Sequence, residues 1–186
     1  MANTETSICN SALIKLGAQT ILSLDGQDKI SRMMKEQYPK NRDAVLYAHP
    51  WKFATRTITP AEVVQDPASP MPNKFQLPAD CLRVLITDNN DDQWTTEDGF
   101  LYVNRNDVTI KYIYRCEDVG KYTPGFVEML ACKIAADVAY AIVQSVTLRQ
   151  QMIQEYDKQL AFVRSFSAQE GSAKRVYADS WLHSRL

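Results

Sequence analysis

The longest helical pattern in the sequence covers residues 123–168, and it constrains the fold more than any other feature. Apolar residues recur there at steps of three and four, which places them on one face of a helix. The pattern restarts after Ser145, and Thr147 and Gln150 have the spacing of a capping box. It therefore predicts two helices, or one helix with a sharp bend. The stripe consists of Phe126, Val127, Leu130, Ile134, Val138 and Ile142, then Leu148, Met152, Ile153, Tyr156, Leu160 and Val163.

Two further helical patterns lie near the N-terminus. The first covers residues 5–16, and Gly17 follows at the position of a C-cap glycine. The second covers residues 28–48 after an Asp-Gly turn. Pro39 interrupts this pattern, so it predicts a kink or two consecutive short helices. His49 precedes Pro50, and a residue before proline is pushed out of helical geometry, so the helix should end there.

The middle of the chain has the composition of loops and strands. Residues 60–78 contain five prolines and predict a long exposed loop, with a short helical turn at 61–65. Short β-branched and aromatic runs then predict strands at 82–87, 93–96, 100–103 and 108–114. Their short connections favour antiparallel pairing. The order of elements predicts an α+β fold.

We expect three parts in this fold. Residues 1–50 and 120–170 should form a helical bundle, and residues 51–119 an insertion that holds the proline-rich loop and one small antiparallel sheet. Residues 171–186 should form an extended C-terminal tail that docks on a partner or neighbour. The tail carries Trp181, Leu182 and Leu186 without a core of its own, and tryptophan and arginine are enriched in interface anchors. The predicted partner-interface residues are Trp181, Leu182, Arg185, Leu186, Lys174 and Arg175.

Composition narrows the classes of function. The formal net charge is -1, and the basic residues are dispersed, which disfavours a nucleic-acid footprint. No apolar run approaches the roughly 20 residues of a membrane helix, and the N-terminus lacks the order of a signal peptide. The four scattered cysteines form no C-x-x-C pair and are expected to be reduced and mostly buried. We therefore predict no membrane contact and synthesis in the cytoplasm.

Few residues point to chemistry. His49 is best explained as a helix-end residue, and the acidic run 88–92 as a solvated turn, although its oxygens could in principle hold calcium. Carboxylates in the turns near Asp91 and Glu97 have no apolar wall to raise a pKa, as a hydrolase needs. Aromatic residues on the sheet (Tyr112, Tyr114 and Phe100) could stack on bases, but a half-buried sheet explains them more simply. We predict no catalytic, cofactor-binding or metal site.

The order of segments resembles the head-to-tail adaptor proteins of short-tailed bacteriophages, the tail tubular protein A family. The resemblance covers nearly the whole chain and rests on a series of short stretches, of which the most specific are His-Pro-Trp at 49–51 and Leu-Pro-Ala-Asp at 77–80. The others are residues 8–17, 38–46, 112–115, the double helix from Phe126, and Ser-Trp-Leu at 180–182.

The resemblance implies a structural protein of the virion tail. Members of the family form a ring, usually a dodecamer, which joins the portal protein to the tail nozzle protein and lines the DNA exit channel, with non-specific contact to passing DNA. The helices at 28–48 and 123–168 would be rigid wedges in such a ring, and residues 60–78 and 172–186 arms that order on assembly. Contacts between subunits would use Lys133, Asp137, Arg149, Glu155 and Lys158.

Three alternatives stay open at this point. A neck or completion protein of a long-tailed phage would have a similar architecture and different partners. A tail-associated polysaccharide hydrolase would need a carboxylate pair in a concave cleft. A nucleic-acid-binding module would show an affinity for duplex DNA that falls steeply with salt.

Overall fold

The structure is a computed structural model, and it describes residues 4–63, 71–88 and 93–169, with side chains described as far as residue 165. Its fold is α+β, as predicted. The helices are α1 (Glu5–Lys15), α2 (Lys29–Ala48), α3 (Pro124–Val143) and α4 (Val146–Gln169). The strands are β1 (Thr55–Ile58), β2 (Glu62–Val63), β3 (Asn73–Gln76), β4 (Cys81–Thr87), β5 (Trp94–Glu97), β6 (Phe100–Val103) and β7 (Ile110–Tyr114).

Helix α1 is closed at both ends by its own sequence. Thr4 is the N-cap, and its side chain accepts a hydrogen bond from the Ser7 backbone N–H. The Ser7 hydroxyl in turn accepts from the Thr4 backbone N–H, which completes a capping box. At the other end Gly17 has a φ of 65°, and the N–H of Ala18 donates to the carbonyl of Leu13 at 2.9 Å. This is a Schellman motif, and it confirms the predicted C-cap glycine.

Helix α2 runs without a break through Pro39, so the alternative of two short helices is wrong. Pro39 lies on the exposed side of the helix, where water can solvate the carbonyl that loses its hydrogen bond. The opposite side is held by Met34, Tyr38 and Leu46, all of them buried. Packing on one face thus outweighs the local cost of the proline.

The strands form two antiparallel sheets, and the prediction of one small sheet is wrong. A three-stranded sheet has the order β1-β7-β4, and a four-stranded sheet has the order β2-β3-β6-β5. The sequence places β4 beside β5 along the chain, yet the two strands belong to different sheets. Strand β4 also carries register shifts between Cys81 and Arg83 and between Val84 and Ile86.

The described residues of the proline-rich stretch include two short strands. Strand β2 pairs with β3, with Glu62 opposite Phe75, so the predicted helical turn at 61–65 is wrong for its described residues. A loop over all of residues 60–78 is also wrong, because β3 lies within it. The prolines at 60, 72 and 78 flank these strands rather than interrupt them, as expected for a residue that cannot donate to a ladder.

Helix α3 is the most buried of the four helices, and it contacts α1, α2 and α4. One hydrophobic cluster contains residues of α1, α2, α3 and both sheets, which places the helices and strands around a common core. A short turn joins α3 to α4, with Gln144 in the left-handed region at φ 53°. This confirms the prediction of two helices.

The start of α4 differs from the prediction in one detail. The N-cap side chain belongs to Ser145, whose Oγ accepts from the Leu148 N–H at 3.2 Å, and Thr147 lies inside the helix. The capping box assigned to Thr147 and Gln150 is therefore wrong. In the part of the chain that the structure describes, no helix is both long enough and apolar enough to cross a membrane.

Candidate interaction surfaces

The predicted partner-interface residues cannot be placed on this structure. Trp181, Leu182, Arg185, Leu186, Lys174 and Arg175 all lie outside the described residues. The docking role of the tail stays a prediction.

Helix α4 is the helix least covered by the described part of the chain. None of its residues up to 165 is buried, and it contacts chiefly α3. The contact side is half-buried and consists of Leu148, Met152, Tyr156, Leu160 and Val163. Three large apolar side chains point elsewhere: Val146, Ile153 and Phe162 are 56%, 41% and 63% exposed.

The turn between α3 and α4 carries further exposed apolar surface. Tyr140 is 60% exposed and Val143 is 40% exposed, and both precede the turn by one helical turn or less. Val146 follows directly after it. Isolated exposed apolar residues are common, but several at one hairpin tip are typical of a contact site.

The charged residues predicted to contact neighbours are at the surface of the α3–α4 hairpin. Lys133 and Asp137 pair with each other at 2.9 Å within α3, so part of their charge is already satisfied. Arg149 and Lys158 are exposed on α4. The structure is consistent with their exposure, and their contact with another subunit stays a prediction.

The His-Pro-Trp segment closes the end of α2. Trp51 is buried, its Nε1 donates to the carbonyl of Val45 at 3.0 Å, and its ring meets Phe126 edge-on at 5.0 Å between centroids. His49 is the C-cap residue of α2, which confirms its interpretation as a helix-end residue. Burial, and then the positive charges of Arg164 and Arg83, lower the pKa of His49 below its ordinary value.

Two charged groups on α2 tie that helix to the segment after β7. Arg42 is buried and pairs with Asp43 at 2.9 Å and with Glu117 at 3.4 Å. Asp43 also accepts from Arg115 at 2.8 Å. This network has no free nucleophile or base, and its geometry supports a role in holding α2 against the sheet.

All four cysteines are free thiols, and none forms a disulfide. Burial raises the pKa of Cys9 to about 12 and that of Cys81 to about 11. Cys116 and Cys132 are buried as well. Among the described residues no group of three or more His, Cys, Asp or Glu side chains could hold a metal ion.

The acidic turns are arranged differently from a metal or hydrolase site. Asp88 accepts two hydrogen bonds from Arg105, at 2.7 and 2.8 Å, and residues 89–92 lie outside the described part. Glu97 and Asp98 are exposed at the β5–β6 turn. The sheet aromatics also lie apart, because Tyr112 and Tyr114 belong to the three-stranded sheet and Phe100 to the four-stranded one.

One cavity of 540 Å³ lies between the α1–α2 connection and the first turn of α2. The carboxylate of Asp28 is engaged as the N-cap of α2 and accepts from the Ser31 N–H at 2.9 Å. The fully exposed Leu22 stands at the edge of the cavity. The titratable residues in its lining are Asp28 and Lys29.

Sequence reasoning missed a basic cluster at the end of α2. The guanidinium carbon of Arg83 lies 5.0 Å from the centroid of the Tyr47 ring, and Arg164 Nη2 donates to the carbonyl of Ala48 at 3.4 Å. Arg83 belongs to β4 and Arg164 to α4, so the two arginines are 81 positions apart along the chain. No local sequence signal could have brought them together.

No protein-family model matches this chain, and no curated protein is significantly similar to it.

Proposed function

We propose that this chain is a structural protein of a phage tail, a ring-forming adaptor between the portal protein and the tail nozzle protein. Its virion location, its dodecameric ring, its contact with passing DNA and its lack of enzymatic activity are parts of the same proposal. It rests on the order of the sequence stretches that resemble the head-to-tail adaptor family, and on how the chain uses those stretches.

The observation that carries the proposal is the one-sided packing of α4. A helix of 24 residues spans about 36 Å at 1.5 Å per residue. It packs chiefly on α3, while Val146, Ile153 and Phe162 remain exposed. A helix of this length with apolar side chains outside its contact stripe fits a lateral contact with a neighbouring subunit better than it fits solvent.

Two of the stretches that carry the resemblance connect different elements of the fold. In the Leu-Pro-Ala-Asp stretch, the carbonyl of Asp80 accepts from the Arg115 N–H at 2.7 Å, and its carboxylate pairs with Arg56 at 3.2 Å. Asp80 thereby ties together the start of β4, strand β1 and the end of β7. The His-Pro-Trp stretch similarly joins α2 to α3. Such cross-links favour a scaffold that transmits contacts.

A mass measurement tests the proposal directly. The purified chain is mixed with purified portal protein, and the masses of the chain alone, the portal alone and the mixture are determined by native mass spectrometry. An adaptor adds a high-order ring of this chain to the portal in the mixture. A mixture that contains only the two separate components would refute the adaptor function.

The nearest alternative is a neck or completion protein of a long-tailed phage, and the same measurement separates it. Such a protein would form a ring with the portal but would not bind the nozzle protein of a short tail. Adding the nozzle protein to the assembled ring distinguishes the two, because only the adaptor gains a further mass.

A further inference from the structure

The last turn of α2 gathers two guanidinium groups from distant parts of the chain. Arg83 of β4 lies over the ring of Tyr47 at 5.0 Å, and Arg164 of α4 reaches the carbonyl of Ala48 at 3.4 Å. Because Tyr47 and Ala48 are consecutive, both groups lie at the same end of the helix. The helix dipole places partial negative charge there, which helps to hold two cations together.

These two arginines differ from the arginines that stabilise the fold. Arg56, Arg105 and Arg115 each pair with a carboxylate within 3.2 Å, whereas neither Arg83 nor Arg164 has a carboxylate within ion-pair distance in the described part of the chain. A guanidinium has five N–H donors. Arg164 uses one of them on Ala48, so most of the donors in this cluster remain available for an external acceptor.

Tyr47 adds an exposed aromatic side chain to the two guanidinium groups. Its side chain is 52% exposed beside Arg83, and tyrosine and arginine are the residue types most enriched at the centres of protein interfaces. Burial, and then the charges of Arg164 and Arg83, lower the pKa of His49, and the contribution of the two arginines agrees with a positive potential at this end of α2. The cluster of Tyr47, Arg83 and Arg164 therefore fits an anionic partner with a hydrophobic or planar neighbour.

The same chain carries a complementary surface at the β5–β6 turn. Glu97 and Asp98 are exposed there, and neither forms an ion pair with a described residue. The turn is sharp, since Asp98 has a φ of 49° and Gly99 a φ of 78°. A side chain built at Gly99 would meet nothing within 4 Å, so the turn projects into open space with two adjacent carboxylates.

We infer that the β5–β6 turn of one subunit binds the Tyr47–Arg83–Arg164 cluster of the next, with Glu97 and Asp98 as the carboxylates. The inference rests on the proposed ring and names its contact. In a closed ring each subunit presents two different surfaces to its two neighbours. Among the described residues, the carboxylates of the turn and the guanidinium groups of the cluster form no ion pair, which leaves them available to a second copy.

Duplex DNA is the other anion that could meet the cluster. Two guanidinium groups on a chain of net charge -1 would neutralise about two phosphates, which gives a weak and salt-sensitive affinity. The two oxygens of one carboxylate match the fork of a guanidinium and accept two hydrogen bonds at once, and a phosphate can do the same. The net charge of -1 disfavours the DNA backbone, so the acidic turn of a second copy is the better partner.

A charge exchange tests the contact in the ring that forms on the portal. Arg83→Glu alone and Asp98→Arg alone should each lower the amount of ring by about tenfold or more, because each places like charges opposite one another. A chain that carries both substitutions regenerates an opposite-charge pair at every interface, and it should recover most of the wild-type ring. Arg32→Glu, on the exposed first turn of α2, is the matched control and should assemble normally.

The outcomes separate this contact from the adaptor function itself. If the wild-type chain forms a ring and both single reversals form it equally well, the contact is wrong and the adaptor function stands. If the double reversal assembles no better than the single ones while thermal melting shows all variants folded, the pairing is also wrong. If Arg83→Glu leaves ring formation unchanged but abolishes an affinity for duplex DNA, the cluster binds DNA and not the acidic turn. A wild-type chain that makes no ring refutes both proposals.

Discussion

Trp51 Nε1 lies 3.0 Å from the carbonyl oxygen of Val45 and donates a hydrogen bond to it. Val45 carries one of the last four carbonyls of α2, which lack partners within the helix. Arg164 reaches another of them, on Ala48. Helix α2 has no glycine at its C-terminus, and the side chains of Trp51 and Arg164 satisfy two of its last four carbonyls.

Substitutions of Trp51 should separate its hydrogen bond to Val45 from the packing of its ring against Phe126. Trp51→Phe keeps an aromatic ring against Phe126 but leaves the Val45 carbonyl without its donor, so we expect a loss of about 1–3 kcal/mol in the free energy of unfolding. Trp51→Ala also removes the buried ring and should cost about 3–5 kcal/mol. Urea denaturation followed by circular dichroism measures both losses, and a Trp51→Phe variant as stable as the wild type would contradict the contribution of the hydrogen bond.

Two glycines should respond in opposite directions to the same change. A Cβ at Gly125, in the first turn of α3, would lie 3.4 Å from Val163 Cγ2, an ordinary packing distance. Gly125→Ala should therefore stabilise the chain by up to about 1 kcal/mol through helix propensity. Gly17→Ala meets no atoms but requires a φ of 65°, so it should destabilise by about 1 kcal/mol. Thermal melting of the two variants side by side checks the sign of each effect.

His49 should make stability depend on pH. Its pKa is below the ordinary value of 6.5 in the folded chain, because burial and two arginines disfavour its protonated form. The unfolded chain then binds the proton more readily than the folded one. The contribution of His49 to the free energy of unfolding should therefore be fully present above pH 6.5 and be lost as the pH falls toward the folded pKa. The measurement is the free energy of unfolding between pH 7.5 and 5 for the wild type and for His49→Gln. A wild-type profile no steeper than that of the variant would count against this assignment.

The thiols should be slow to react while the chain is folded. The pKa of Cys9 is about 12 and that of Cys81 about 11, and the thiolate is the reactive form. We expect alkylation by iodoacetamide at pH 7.5 to be much slower in the native chain than in urea. Cys81, the one half-buried thiol, should be labelled first. Mass spectrometry of peptides gives the order, and prior labelling of Cys9 would contradict its burial.

Local patterns determined the helices and their ends. The stripe from Phe126 to Val163, the glycine after α1 and the proline after His49 each act within a few residues, because a helix is built from contacts between positions three or four apart. The α+β class followed from the order of these patterns. The N-cap of α4 was the exception among the caps, because the prediction took Thr147 and the helix begins directly after Ser145.

Tertiary structure decided the pairing of strands, the continuity of α2 and the candidate contact surfaces. Strands β4 and β5 follow one another along the chain yet join different sheets, because hydrogen-bond partners between strands come from distant residues that no local period encodes. Pro39 remains within one helix because Met34, Tyr38 and Leu46 anchor its opposite face. Arg83 and Arg164 meet at Tyr47 and Ala48 only when β4, α4 and α2 have packed together. Sequence periodicity determines which face of an element is apolar, whereas the side chains that converge at a surface depend on how whole elements pack.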